Sequence, residues 1–524
     1  MKRARIVAIA ALISAAVLIS GCGDAGSHGD AGSHRNPEPQ AVASPSASTV
    51  GVPPPGVGAK AWSADVRWTD GGFTKVGVPP YPDETVTNWQ IAQAQAKYGL
   101  VATIGDVVVV PSQPVGGSSA PLSLRFLDSR TGAVVANRQL PGVFFEGIRA
   151  ETVAGKPVVE VRYTEPAGDE ADVLFDAAGG QIRANQDKPS TSAGDTADGG
   201  LSVSGYWLRF IPDPGTSTDT WNRRGRYDVL DVAGHKILTI PVNVSVDSAN
   251  PAAGIRNSVS LAGGYAVVAT PDRTADPNDT VTTHITVYDL AADGKKVATL
   301  SEPTIKPFNG DAPARVAAAI GSKLLLTWMG PTQPPTRREF HEGPYQDLFV
   351  TVLDTATGRS STPVDTSAAP TGIANPPTAF VDPSASTVVE YGMVPNPGGT
   401  GLSPPVTFAV DLAHGTVSWK RQGSNVLLPL SAHDDILYGL QSSTAGHPRL
   451  IEVGAADGRT IADGFTVAPL AFTAAGTPVF VEVKVITPSA TPTRSSTASP
   501  SPTTRHPTPP PDIHPIEVWV PTPH

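Results

Sequence analysis

Cysteine is almost missing from this 524-residue chain: Cys22 stands alone. One sulfur can build neither an intrachain disulfide nor a thiolate metal site, so neither holds the fold together. Charge is scarce as well. Asp, Glu, Lys and Arg make up 16% of the residues, against about 25% in an ordinary soluble domain. No cluster of Lys and Arg offsets the net charge of −10, which argues against nucleic acid as a partner. No glycine-rich loop of the phosphate-cradling type occurs. Arg338-Glu339-Phe340-His341-Glu342 begins like a zinc-protease helix, but Tyr345 stands where the second histidine would be. What abounds is Gly (51) and Pro (53). A body rich in turn formers and poor in charge points to many short strands joined by loops, an all-β chain.

The one long apolar run, residues 6–19, follows Lys2, Arg3 and Arg5 and closes on Ile19-Ser20-Gly21-Cys22. It is shorter than the roughly 20 residues a membrane-crossing helix needs. Residues 1–22 therefore read as a lipoprotein signal peptide whose end resembles the bacterial lipobox. Cys22 is then the lipidation site, bearing the palmitate-type acyl chains that hold the protein to the lipid bilayer of the cell membrane on its extracytoplasmic face. Residues 23–59 lack any apolar period and read as a disordered tether, with His28 and His34 incidental to it. Residues 487–524 read as a disordered Ser/Thr/Pro-rich tail. Its last apolar patch, Ile513–Val520, reads as a loose end, with a docking peptide as the alternative.

Between the tether and the tail, over residues 60–486, one phrase recurs: an apolar strand, an Asp, a small turn with Gly, then another strand. Its aspartates are Asp128, Asp176, Asp231, Asp289, Asp354 and Asp411, followed by Gly132, Gly179, Gly234, Gly294, Gly358 and Gly415. A seventh copy, Ile451 to Gly458, lacks the first Asp. An Asp carboxylate can accept hydrogen bonds from turn amides, and Gly supplies the positive φ that lets the next strand return. The spacings run 48, 55, 58, 65 and 57 residues, which fits four strands plus loops, one propeller blade. Half a repeat upstream lie matching strand pairs, such as Val101–Ile104 with Val107–Val110 and Val316–Ile320 with Lys323–Thr327.

The expected fold is therefore a β-propeller of four-stranded antiparallel blades, eight in number with seven as the alternative. Seven blades follow the seven turns. The eighth is expected to be composite, pairing residues 61–78 with 467–486, because an open ring leaves bare sheet edges. Residues 84–97 read as a short helix leading into the first blade.

The turn phrase, with Gly415-Thr416-Val417-Ser418-Trp419, resembles the repeat of the pyrroloquinoline-quinone-type, or quinoprotein-like, β-propellers. That superfamily holds quinone-dependent alcohol dehydrogenases and also cofactor-free lipoproteins that serve as assembly scaffolds. The repeat tryptophan is found here only as Trp419, with Ala136, Ala184, Ala298 and Ala462 near the equivalent place in other blades. The paired cysteines of many of the dehydrogenases cannot occur, and no Glu/Asn/Asp set for their calcium can be picked out. The resemblance thus implies the fold and a membrane-anchored binding or scaffolding module without catalytic residues, cofactor or metal. The alternative is a divergent quinoprotein or glycan-active enzyme.

In each blade the chain is expected to run through strands A, B, C and D from the channel outward. A–B and C–D turns then share one face, and B–C and D–A connections the other. The C–D turns are short and uniform, whereas the B–C connections Pro212–Arg226, Pro271–Val281, Gly330–Gln346 and Val394–Pro405 are long and dissimilar. Long loops on a rigid scaffold concentrate binding residues. The expected binding residues are Trp221, Arg223, Arg224, Arg337, Arg338, Phe340, His341 and Tyr345, with a protein or envelope glycan as partner. Asp272, Asp276, Asn278 and Asp279 crowd one of these loops in no EF-hand spacing and read as solvated carboxylates.

Overall fold

A computed structural model of the chain describes residues 51–69, most of the chain between 91 and 483 apart from the longer connections, and 513–522. Eight blades follow in chain order. Blades 1 to 7 span residues 102–140, 144–185, 207–242, 258–302, 314–365, 379–422 and 427–463; blade 8 combines 469–483 with 513–521 and 60–69. Each sheet is antiparallel, and in blades 1 to 7 the strands are ordered as the sequence runs. Blade 3 is described in three strands, Trp207–Pro212, Gly225–Leu230 and Lys236–Val242. The first strand of a blade lies beside the first strand of the next: Ala102–Ile104 beside Phe144–Val153, Ser258–Ala262 beside Ala314–Ile320, and Leu427–His433 beside Pro469–Phe472. Pro469–Phe472 in turn meets Ala102–Ile104, which closes the ring.

The recurrent turn works as its residues require. Asp128 Oδ1 accepts from the amides of Arg130 (3.1 Å) and Thr131 (2.9 Å) and from the Thr131 hydroxyl (2.8 Å). Asp176, Asp231, Asp289, Asp354 and Asp411 each accept from the amide two residues on. Where the first Asp is lost, Gly454 takes its place, and Asp457 accepts from the Arg459 amide at 3.0 Å. The glycines have a second duty. Gly132 and Gly458 sit at φ +70° and +66°, and a Cβ on either would lie within 3 Å of an indole ring, that of Trp62 or Trp419. Each indole donates to the same turn: Trp419 Nε1 to the Ala455 carbonyl at 2.8 Å, Trp62 Nε1 to the Ser129 carbonyl at 2.7 Å. The outer strand of one blade thus docks on the C–D turn of the next. Trp62 is therefore a second repeat tryptophan, which corrects the reading of Trp419 as the only one. Its strand belongs to the composite blade and lacks the turn phrase that would have flagged it.

The composite blade is real, but its make-up differs from expectation. Lys60–Thr69 pairs with Ile513–Pro521, not with 467–486; Ile513–Pro521 pairs in turn with Pro478–Val483, and Pro469–Phe472 is innermost. Three strands come from the C-terminal part and one from the N-terminal part, and Phe73–Val78 lies outside the described residues. The patch read as a loose end is the third strand, so residues 513–521 are not part of a disordered tail. The reason is burial together with pairing: Val518, Trp519 and Val520 are 1–2% exposed, which favours ordering by the apolar surface removed from water, and both edges of the strand are hydrogen-bonded. Likewise the end of the tether is packed: Val52 bonds to Thr466 in both directions and Val57 lies against the Val467–Phe480–Trp519 cluster.

Residues 91, 92 and 95 are helical, within the expected segment. Ile91 and Ala92 are buried, and Gln95 donates to the Leu470 carbonyl (3.1 Å) and accepts from the Val101 amide (3.1 Å). This segment therefore ties blade 8 to blade 1.

Candidate functional site: the long-loop end of the ring

The sheet order puts the B–C connections on one face of the ring. Their roots are stiffer than loops. The B strands of blades 3, 4, 5 and 6 end at Pro212, Pro271, Pro331 and Pro395, and the ladders stay paired to those prolines: Pro212↔Gly225, Pro271↔Thr283, Pro331↔Tyr345 and Pro395↔Leu402. A ladder that ends on a residue without an N–H has a defined exit. The expected loops Gly330–Gln346 and Val394–Pro405 are thus partly strand. A hairpin of Ser245–Asp247 with Asn250–Ile255 adds to the D–A connection between blades 3 and 4. Of the expected binding residues, Trp221, Arg223, Arg224, Arg337, Arg338, Phe340 and His341 lie outside the described residues. The backbone of Tyr345 begins the C strand of blade 5. The two groups of residues accordingly leave the B–C ends of blades 3 and 5. Cys22 also lies outside the described residues.

What sequence reading missed lies in the facing strands of blades 2 and 3. Val158 and Leu174 of blade 2 cluster with Val232 of blade 3, so strand alternation turns Arg149, Glu151, Glu160, Arg162 and Asp172 toward blade 3 as well. Tyr227 and Val229 of blade 3 cluster with Val259 and Val268 of blade 4, so Asp228, Arg226 and Arg209 face back toward blade 2. Each of the two facing sheets therefore carries its own charge network, paired within its blade. Arg149 pairs with Glu160 and, at 3.1 Å, with Glu151. Arg162 Nε lies 3.0 Å from Glu160 and 3.2 Å from Asp172. Asp228 accepts from the Thr239 hydroxyl at 2.8 Å and has Arg209 and Arg226 at 3.8 and 3.7 Å.

The burial is graded across this seam. The Glu160 side chain is 1% exposed, whereas Arg209 and Arg226 are 46% and 47% exposed. A buried carboxylate costs desolvation unless hydrogen-bonded partners offset it, and the Nε groups of Arg149 and Arg162 supply such partners to Glu160. Four arginines and four carboxylates balance in charge. The result is a set of guanidinium groups paired with buried acids, of which Arg226 lies at the root of the blade 3 B–C connection, one residue past the Pro212↔Gly225 pair. One signal could have revealed it. Glu160 and Arg162 alternate with apolar residues in Lys156–Thr164, whereas the corresponding strand of blade 5, Lys323–Pro331, reads Leu-Leu-Leu-Thr-Trp after its first residue. Among the described residues no three His, Cys, Asp or Glu side chains gather as a metal site.

No family model matches the chain, and no curated protein matches it. Solved structures do. A quinohemoprotein alcohol dehydrogenase from Comamonas testosteroni is similar at 12% identity over 74% of this chain and 71% of that one, with a TM-score of 0.39. The WD40 domain of a Toxoplasma gondii coronin is similar at 12% identity over 82% and 96%, with a TM-score of 0.35. An uncharacterized protein from Listeria monocytogenes is similar at 10% identity over 72% and 96%, with a TM-score of 0.35. At such identities a likeness speaks to the fold alone, and what this chain does has to be argued from its own residues.

Proposed function

We propose that this chain is a lipid-anchored extracytoplasmic β-propeller that acts as a binding or scaffolding module at the cell envelope. The anchor reading rests on the Lys2–Cys22 sequence pattern. The binding reading rests on one observation: the B–C connections of the blades, several of them long and dissimilar, all leave one end of the ring, where blades 2 and 3 carry four arginines paired with carboxylates of their own blade. Arg and aromatic side chains are enriched at interaction hot spots, and Trp221, Arg223 and Arg224 belong to the B–C connection of blade 3. A protein or envelope glycan that offers carboxylates or other acceptors suits such a surface.

Two experiments test the parts separately. Cys22→Ser should leave the precursor uncut or release the protein from the membrane fraction; normal processing and full retention would refute the anchor. For the binding face, the detergent-solubilised full chain is compared as wild type, as Arg223→Ala/Arg224→Ala, and as Arg130→Ala/Arg459→Ala on the opposite face. Loss of retained envelope protein or glycan in the first variant only is the expected result. Loss in the second only would place binding on the other end of the ring.

A further inference from the structure

We infer that the place between Pro478–Val483 and Lys60–Thr69 in blade 8 is a strand-acceptor site, and that the C-terminal strand Ile513–Pro521 of a second copy of this chain can fill it. The starting observation is a mismatch between register and connection. Val483 pairs with Ile516, so the two strands are antiparallel neighbours that a hairpin loop of about 2–5 residues would join. The chain instead places residues 484–512 between them, a Ser/Thr/Pro-rich segment. A connection far longer than its geometry requires reduces the advantage of its own strand, so that an identical strand from outside competes as protein concentration rises. The effective concentration of a tethered end falls roughly as the −3/2 power of linker length.

The site itself owes nothing to the connection. Both edges of Ile513–Pro521 are hydrogen-bonded, one to Pro478–Val483 and the other to Lys60–Thr69. Those two strands do not pair with each other. Trp519 stacks on Phe480 with ring centroids 4.2 Å apart. The Lys60 ammonium sits 5.1 Å from the Trp519 ring centroid, bonds Glu482, and reaches Glu517 at 2.8 Å. The Thr522 amide donates to the Ala59 carbonyl at 2.7 Å. Every one of these contacts can be made by a strand arriving from another molecule.

The frame of the site also has support besides the strand it holds. Lys60–Thr69 is fixed to blade 1 by the Trp62 indole on the Ser129 carbonyl and by the Arg125 guanidinium on the Asp65 carbonyl. With Ile513–Pro521 withdrawn, two bare strand edges remain facing one another, and a strand is the partner such edges select. Exchange between copies restores the same bonds and the same buried surface, so it is neutral in contacts and governed by local concentration.

The decisive test uses the paired positions Asp65 and Glu517, which face each other across the ladder. In a Cys22→Ser background, one full-length chain carries Asp65→Cys and another Glu517→Cys. The two are mixed at increasing concentration and oxidised, and a single chain with both substitutions serves as the control for geometry. The expected result is an intrachain bridge in the control and an interchain bridge in the mixture that grows with concentration. An intrachain bridge without any interchain bridge, even at millimolar protein, overturns the inference. Should the cysteine variants not fold, the wild-type sequence with a protease site inserted after Ser499 decides instead. After cutting, a labelled peptide of residues 513–522 should replace the resident strand and stay with the ring through gel filtration. Failure of that peptide to enter, whether the cut ring stays closed or falls apart, overturns it equally.

Discussion

The seam between blades 4 and 5 and the seam between blades 2 and 3 join the same kind of sheet by opposite means. In the first, Val267, Ile285 and Val287 meet Val316, Leu324, Leu326 and Trp328, and all of these are buried. Its polar contacts are local: Trp328 Nε1 donates to Thr351 Oγ1 at 2.9 Å, and the Val316 amide donates to Ser260 Oγ at 2.9 Å across the inner strands. In the second, the described apolar contacts shrink to small groups around Val158–Leu174 and Trp207–Leu230, and each facing sheet carries ion pairs of its own. An apolar seam gains free energy from area removed from water. Ion pairs within the facing sheets gain little net energy, but they fix where charges point. Among the described residues the apolar joint between blades 4 and 5 thus contrasts with the charged facing strands of blades 2 and 3.

The largest effects should come from the apolar seam. Trp328→Ala empties a site that is 1% exposed and is expected to cost about 3–5 kcal/mol, read as a lower denaturant midpoint with unchanged slope. Glu160→Ala should cost less, about 1–3 kcal/mol, because the arginines it leaves are partly exposed and can rehydrate. The two should also part on salt. Raising salt should leave the deficit of Trp328→Ala nearly constant and shrink that of Glu160→Ala. Equal salt responses would mean that the charge network contributes as packing and the contrast between seams is false.

The sequence discloses the repeating part of this molecule better than its exceptions. Six turn aspartates in register give blade, period and facing, because a hairpin needs the same local chemistry each time it is made. The composite blade is legible only as a need for closure. Which strand fills its third place depends on Val518-Trp519-Val520 meeting Phe480 and Val481, contacts between segments that the period does not link. Trp62 escapes for the same reason, since it docks on Gly132 from a strand with no turn of its own. The loops bearing Trp221 and Arg337 are recognisable by length, and they lie outside the described residues. The arginines of blades 2 and 3 sit in strands, where the eye looks for apolar residues.

The docked tryptophans offer a middle test, because they join blades at the outer rim rather than through the seam. Trp62→Ala and Trp419→Ala remove equivalent indoles, each half-buried, and each is expected to cost about 2 kcal/mol. They should differ in cooperativity. Trp419 links two continuous blades, whereas Trp62 holds the strand that closes the ring, so Trp62→Ala should also raise the rate of proteolysis near Lys60. Equal protease susceptibility would show that closure relies on Ile513–Pro521 alone.

The smallest effect expected lies at the short-loop edge of the apolar seam and depends on pH. Asp354 ends the C strand of blade 5 and holds Lys323 at 3.0 Å. The hydrogen bond from Lys323 lowers its carboxyl pKa from 3.8 to about 2, against a weaker opposing pull from desolvation, with further bonds from the Ala356 amide and the Ser322 hydroxyl. A depressed folded-state value means that the contribution to stability is present above 3.8, the unfolded-state value, and is lost as pH falls toward 2. Asp354→Asn should therefore lower the thermal midpoint slightly at neutral pH, and the gap to wild type should close between pH 4 and pH 2. Salt should narrow that gap as well, because the pair is open to solvent. The buried apolar contacts of the same seam have no titrating group, so Trp328→Ala should keep its deficit across this range. A gap for Asp354→Asn that stays constant from neutral pH to pH 2 would mean that the turn geometry, and not the charge, is what Asp354 supplies.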